Sequence, residues 1–409
     1  MAPESDFITA FESLNKTTNL PLWIAAHRLP AQKAFLAKGF PTLKDEEWKY
    51  TNLKDIGTSK FSLGNTQGNA HLDVSDPNIT IDPLEKACLE KETLVQFAIK
   101  LSSQVAQNAF SLLNDALLGE GFLVHVKKGA KVGNTLHLTH KIAQAPQASA
   151  IFPRNIVILE EGTELCLVET EECSPTEGET ALLSPLTDII LHENATLMYI
   201  KTFPSSQEST TSSFVISHTR CHLGKNARLL GFVDRAGPKL SREGLSVMLG
   251  GNGSEVRLWG LFHTRGNEHL DYNVNVEHAA SFTVSRQFFK GVAEDNSRGV
   301  FCGKIRVGHG LHKVDARQLT KNLILGPTAE IDAKPHLEIN SDDVKCTHGS
   351  AIGKLRDEEV FYLQTRGIGR QKAESILSKA FTREVILAIK EKRFQENVRK
   401  HARGGKDGS

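Results

Sequence analysis

The segment KCTHG, residues 345–349, sets a thiol and an imidazole two positions apart. In an extended strand, residues i and i+2 share a face about 7 Å apart. Cys346 and His348 could then touch one metal or one partner group, and thiolate with imidazole suits zinc or iron. Two donors do not close a tetrahedral site, so a metal there needs ligands from another coil or another chain. The plainer alternative is that Cys346 packs inward and His348 makes a turn hydrogen bond. HTRCHLG supplies His218, Cys221 and His222, which read as ordinary strand surface, and FCGKIRVGHGLH supplies Cys302, His309 and His312. Asp342 and Asp343 are adjacent, so a strand would point them to opposite faces, a poor start for one calcium site.

Several chemistries are not written here. GSAIGK at 349 is one residue short of a phosphate loop and lacks the Ser/Thr after its lysine. The chain should therefore not hydrolyse nucleotide itself. No G-x-S-x-G elbow, H-E-x-x-H or kinase signature occurs. RGIGRQ at 366 lacks the spacing of a dinucleotide loop. The formal net charge of +1 gives no global pull toward nucleic acid or anionic membrane. No apolar run approaches the ~18 residues of a membrane span, and the acidic start MAPESDFITAFESLNK is unlike a secretory signal. The expectation is a cytoplasmic protein. Its six scattered cysteines, with no C-x-x-C pair, read as buried thiols rather than a disulfide framework.

The elements that must position these residues change along the chain. Residues 1–118 read as helical. Phe7, Ile8, Phe11 and Leu14 recur at helical spacing, Pro21 opens a second helix that Pro30 interrupts, and Gly39 stops a third. Residues 83–118 carry the longest helical pattern, and the polar segment 58–78 reads as loop. Residues 119–355 switch to short alternating runs such as NIVILEE, ELCLVET and EVRLWGLF, each bounded by Gly, Asn or Pro. Residues 356–409 return to helix, opened by RDEE and followed by a basic, solvated, frayed tail.

A short pattern recurs in the strand-rich part: two small residues, any residue, then a hydrophobic one. It occurs as GAKV (129), GTEL (162), NATL (194), NARL (226), GSEV (253) and AASF (279), then TAEI (328) and GSAI (349). The first six are 33, 32, 32, 27 and 26 residues apart. Quasi-regular recurrence, with no NG or DG hairpin turns, favours a mainly β parallel β-helix (solenoid) flanked by helical regions over a sandwich.

DDVKCTHGSAIGKL with DEEVFYLQTRGI, and RLPAQKAFLAKGFPTLKDEEWKYTNL near the other end, resemble the SufB/SufD family of iron–sulfur cluster assembly scaffolds. Two long motifs at the right separation make the resemblance specific, and it spans most of the chain. Within the family, SufB carries a sulfur-accepting Cys before a D-S-L-L-I-G stretch. The similar stretch here is QLTKNLILG, with Thr320 in that place. A hydroxyl cannot stand in for a polarizable thiolate, so the resemblance is to the branch that pairs with SufB.

The resemblance implies a non-enzymatic scaffold subunit of a SufBCD-type complex. It would pair with a SufB paralogue and hold the ATPase SufC through its C-terminal helical region. Phe361, Tyr362, Leu363, Arg366 and Gly367 match the family's F-Y-L and R-G-I motif there. It also implies that His348, and less directly Cys346, serves a transient iron–sulfur cluster or iron at the SufB junction. Reduced flavin is associated with the assembled complex, and a homodimer is an option when SufB is absent. The competing reading is a stand-alone β-helix carbohydrate-active enzyme, which would need acids and a basic residue in an exposed groove.

Overall fold

In a computed structural model, residue 11 and residues 21–64, 68–73, 75–143, 148–174, 179–203 and 212–402 are described. Of the first helical pattern only Phe11 falls among them, and it is helical and buried. Beyond Gly119 the chain winds into a parallel β-solenoid of about seven turns. Each turn lays one strand in each of two sheets. The first sheet runs from Gly121–Val126 through Arg154–Leu159, Leu186–Leu191 and later strands to Glu330–Ile339. The second runs from Lys131–Ala143 through Glu164–Ser174, Thr196–Thr202 and later strands to Asp343–Gly353.

The corners explain the sequence repeat. Gly129, Gly162, Asn194, Asn226 and Gly253 all sit at positive φ, where Gly and Asn are tolerated best. Asn226 donates its side-chain amide to Asn194 Oδ1 at 3.2 Å, stacking one corner on the next. The sixth and seventh corners fall at Phe282 (φ 61°) and Lys313 (φ 56°). AASF at 279 therefore begins three residues before its corner. TAEI at 328 follows a different set of corners, and GSAI at 349 lies inside the strand Asp343–Gly353. Those matches failed because the later corners use residues the small-residue pattern does not contain.

Inside the solenoid, alternating side chains stack in register. Leu165, Leu197, Leu229 and Val256 follow one another across four turns, all fully buried. A charged belt shares this interior. Lys201 Nζ lies 3.0 Å from Glu171 and 3.1 Å from Glu243, and Arg235 Nε donates to Glu243 at 3.0 Å. Tyr199 donates to Glu169. Burial alone would drive these groups toward neutrality. The Arg235 and Lys201 charges instead hold the Glu171 carboxyl down at about 2.

Helices cover the outer faces. Leu22–Lys38, Leu84–Glu90, Glu92–Ser102 and Ala109–Ala116 lie against the first sheet. The first of these runs through Pro30 without a break, so that proline does not interrupt it. The segment read as loop contains strands Ser62–Leu63 and Asn69–Leu72. Asn69–Leu72 and Ile79–Pro83 pair antiparallel with the two strands of the first turn and close that end. On the second sheet, Arg370–Leu387 and Lys392–His401 pack Val385, Ile386, Phe394 and Val398 against Met198, Phe232 and Trp259. The tail is therefore helical and docked through Ala402 rather than frayed; residues 403–409 lie outside the described set. Among the described residues no helix is long and apolar enough to cross a membrane.

Candidate functional site

The last turn is built differently from the rest. Its strands, Glu330–Ile339 and Asp343–Gly353, end the two sheets. No described strand pairs with their outer edges. Most of their side chains are exposed or half-buried. The helices Arg370–Leu387 and Lys392–His401 are occupied on the outer face of the second sheet.

Val344 and Cys346 pack against Ile305, Val307, Val314 and Ala316, so they face the interior. Cys346 is half-buried, and burial pushes its thiol up from the ordinary value. His348 follows on the same side of the strand by alternation. It sits beside Gln318 in register, yet it is exposed because no further turn stacks above it. No described residue hydrogen-bonds its ring, so its donors are open to an incoming group. Thr320, where a sulfur-accepting thiol would stand, is fully buried and accepts a 3.3 Å hydrogen bond from Asn322.

A groove of about 650 Å³ runs beside His348, lined by Arg257, Trp259, Arg286, Phe288 and Arg317 among others. The three arginines are in register on successive turns. Arg257 is paired with Glu255 and Glu391, and Arg286 and Arg317 are paired with Asp315. This groove was missed in the sequence. Its signal was there in RLW, RQF and RQL at 257, 286 and 317, an arginine two residues before a large apolar side chain, turn after turn.

Beyond the groove, Asp357–Thr365 forms a helix held by buried Val360, with Phe361 66% and Tyr362 58% exposed. Leu363 is half-buried, Arg366 lies over the Tyr362 ring at 5.4 Å, and Gly367 ends the helix at φ 79°. Both rings therefore stand in water on the face of the helix away from Val360.

The other sequence clusters do not assemble. His218 is buried under the N-terminal helices, bonded to Asn108 and Ser246, and Cys221 points into the core. They are not strand surface; the helices that cover this face follow a change of pattern that the strand itself does not show. Cys302 is half-buried with its thiol pushed up to about 12 by burial, while His309 and His312 are exposed on a corner.

Fold and site together define a two-sheeted β-solenoid with a half-buried thiol and an exposed imidazole on its terminal strand. The profile of the family described as "SUF system FeS cluster assembly, SufBD core domain" matches residues 141–381. The iron–sulfur cluster assembly protein SufD of Escherichia coli is 29% identical over 387 residues, covering 89% of this chain and 88% of that protein. Protein ABCI7, chloroplastic, of Arabidopsis thaliana is 26% identical, covering 96% and 88%. SufD of Bacillus subtilis is 23% identical, covering 94% of each. The chain belongs to the SufB/SufD family, on its SufD side, and its role is in iron–sulfur cluster assembly.

Proposed function

We propose that the chain is a non-catalytic subunit of a SufBCD-type complex in the cytoplasm. It pairs with a SufB paralogue through its unpaired end turn and holds the ATPase SufC at Asp357–Thr365. The observation that carries this reading is His348, exposed and unbonded on the terminal edge strand. An edge strand is a template for pairing with another chain. His348 there can add an imidazole to a thiolate that the partner brings, which meets the shortage of ligands within this chain. Iron and sulfide are cargo in this scheme. ATP-driven movement of SufC would shift the junction and uncover His348. Cys346, directed inward, serves packing first. Phe361 and Tyr362 supply the apolar area for SufC, and Arg366 with Gly367 fix the turn behind them.

The test is His348→Ala in the co-expressed complex, read by anaerobic iron and sulfide content. The expected result is an intact complex that has lost most of its iron. An intact complex with normal iron removes His348 from the mechanism. Phe361→Ala with Tyr362→Ala should release SufC and leave SufB bound, as read by co-purification.

A further inference from the structure

At the opposite end of the molecule, three segments distant in sequence bring imidazoles and a carboxylate together. His71 lies on the strand Asn69–Leu72 that closes the first turn, and in register it faces His137 on Lys131–Ala143. Their rings stack with centroids 5.0 Å apart. Asp73 lies just past the closing strand, with its Oδ1 3.4 Å from His137 Nε2. One donor atom from each of the three residues lies within 4.8 Å of the others. The ring of His401, at the end of the helix Lys392–His401, is 5.3 Å from that of His137.

We propose that His71, Asp73 and His137, with His401 as the fourth donor, bind a divalent transition metal of the zinc class. Nitrogen and carboxylate donors suit such an ion, with bonds of about 2.0–2.2 Å. Tetrahedral geometry then puts neighbouring donors roughly 3.3–3.6 Å apart. The Asp73–His137 pair already has that spacing, which is long for a hydrogen bond but right for the edge of a tetrahedron. His71 and Asp73 are exposed and His137 half-buried, so an ion can reach these three donors from solvent. Lys400 acts electrostatically on His137, and the Asp73 charge offsets it. The arrangement has a structural consequence: one ion would fasten the closing strand, the first solenoid turn and the last helix to one another. This inference is independent of the role proposed for His348.

The experiment uses the full chain, stripped of metal and titrated with Co²⁺ and with Zn²⁺. Expected is one Co²⁺ per chain with the intense visible bands of a tetrahedral site, displaced by Zn²⁺, and a higher melting temperature with either metal. Asp73→Asn and His137→Asn should each weaken binding by at least about tenfold, while His401→Asn should alter the Co²⁺ spectrum. His348→Ala should leave all of this unchanged. The exposed His71→Asn provides a variant whose metal-free melting should match the parent, so that lost binding is not lost folding. Binding that survives the Asp73→Asn/His137→Asn double variant, or that vanishes with His348→Ala, overturns the proposal.

Discussion

The two ends of the solenoid start from the same backbone and finish differently. At the first turn both strands are paired, with Asn69–Leu72 and Ile79–Pro83 running antiparallel against them. At the last turn no described strand pairs with the outer edge of either strand. A parallel solenoid has two such edges by construction, and each must be covered, blunted or used. The chain covers the first with its own segments, and under the proposed function the second is covered by the partner. His348 belongs to the second, and none of the described residues hydrogen-bonds its ring.

The largest expected difference between the ends is energetic. Leu136→Ala, fully buried in the first turn, should cost about 2–5 kcal/mol. Ile352→Ala, 46% exposed in the last, should change stability by less than about 0.5 kcal/mol. Urea unfolding of both variants checks this, and equal losses would mean that the last turn is as well packed as the first.

Acid should act next, through the covered regions. Burial, reinforced by Arg220, depresses the His218 imidazole to about 3. Burial also depresses His278 to about 4, where it bonds to Thr283 and Ser285. The unfolded imidazoles take up protons near pH 6.5. The unfolded state therefore gains protons first as pH falls. The stability these residues contribute is complete above about 6.5 and is lost progressively between 6.5 and 3–4. By pH 5 each should have cost roughly 2 kcal/mol. The melting temperature should fall over that window, and His278→Gln should flatten the slope.

A smaller effect of opposite sign should come from the irregular corner. Phe282 is 58% exposed at φ 61°, a conformation that costs an L-residue about 1–2 kcal/mol. Phe282→Gly should stabilise the isolated chain by about 1 kcal/mol, seen as a raised urea midpoint. His348→Ala should be the smallest of the set, within about 0.5 kcal/mol by the same measurement. A large loss there would show that the ring supports its own subunit.

The solenoid was legible because its first five corners use Gly or Asn at positive φ, a local requirement that leaves a residue-level mark. Phe282 and Lys313 meet the same requirement at a cost, so the repeat fades where they begin. KCTHG was legible as a pair of donors because alternation in a strand is local. Its openness was not, since exposure depends on there being no further turn. Strand Asn69–Leu72 was hidden for the same reason in reverse: its polar sequence becomes a strand only against the edge it closes. The helix Lys392–His401 read as a solvated tail because five basic residues outweigh the two apolar ones, Phe394 and Val398, that seat it.

The open edge has one more consequence. A row of backbone donors and acceptors is the same whatever chain approaches, so hydrogen bonding along Asp343–Gly353 cannot tell a twin from a cousin. Discrimination between a second copy and a paralogue must be written in the side chains flanking that row, Thr347 and Ser350 among them. A few substitutions on one strand could therefore change which chain the edge accepts without altering the coil beneath.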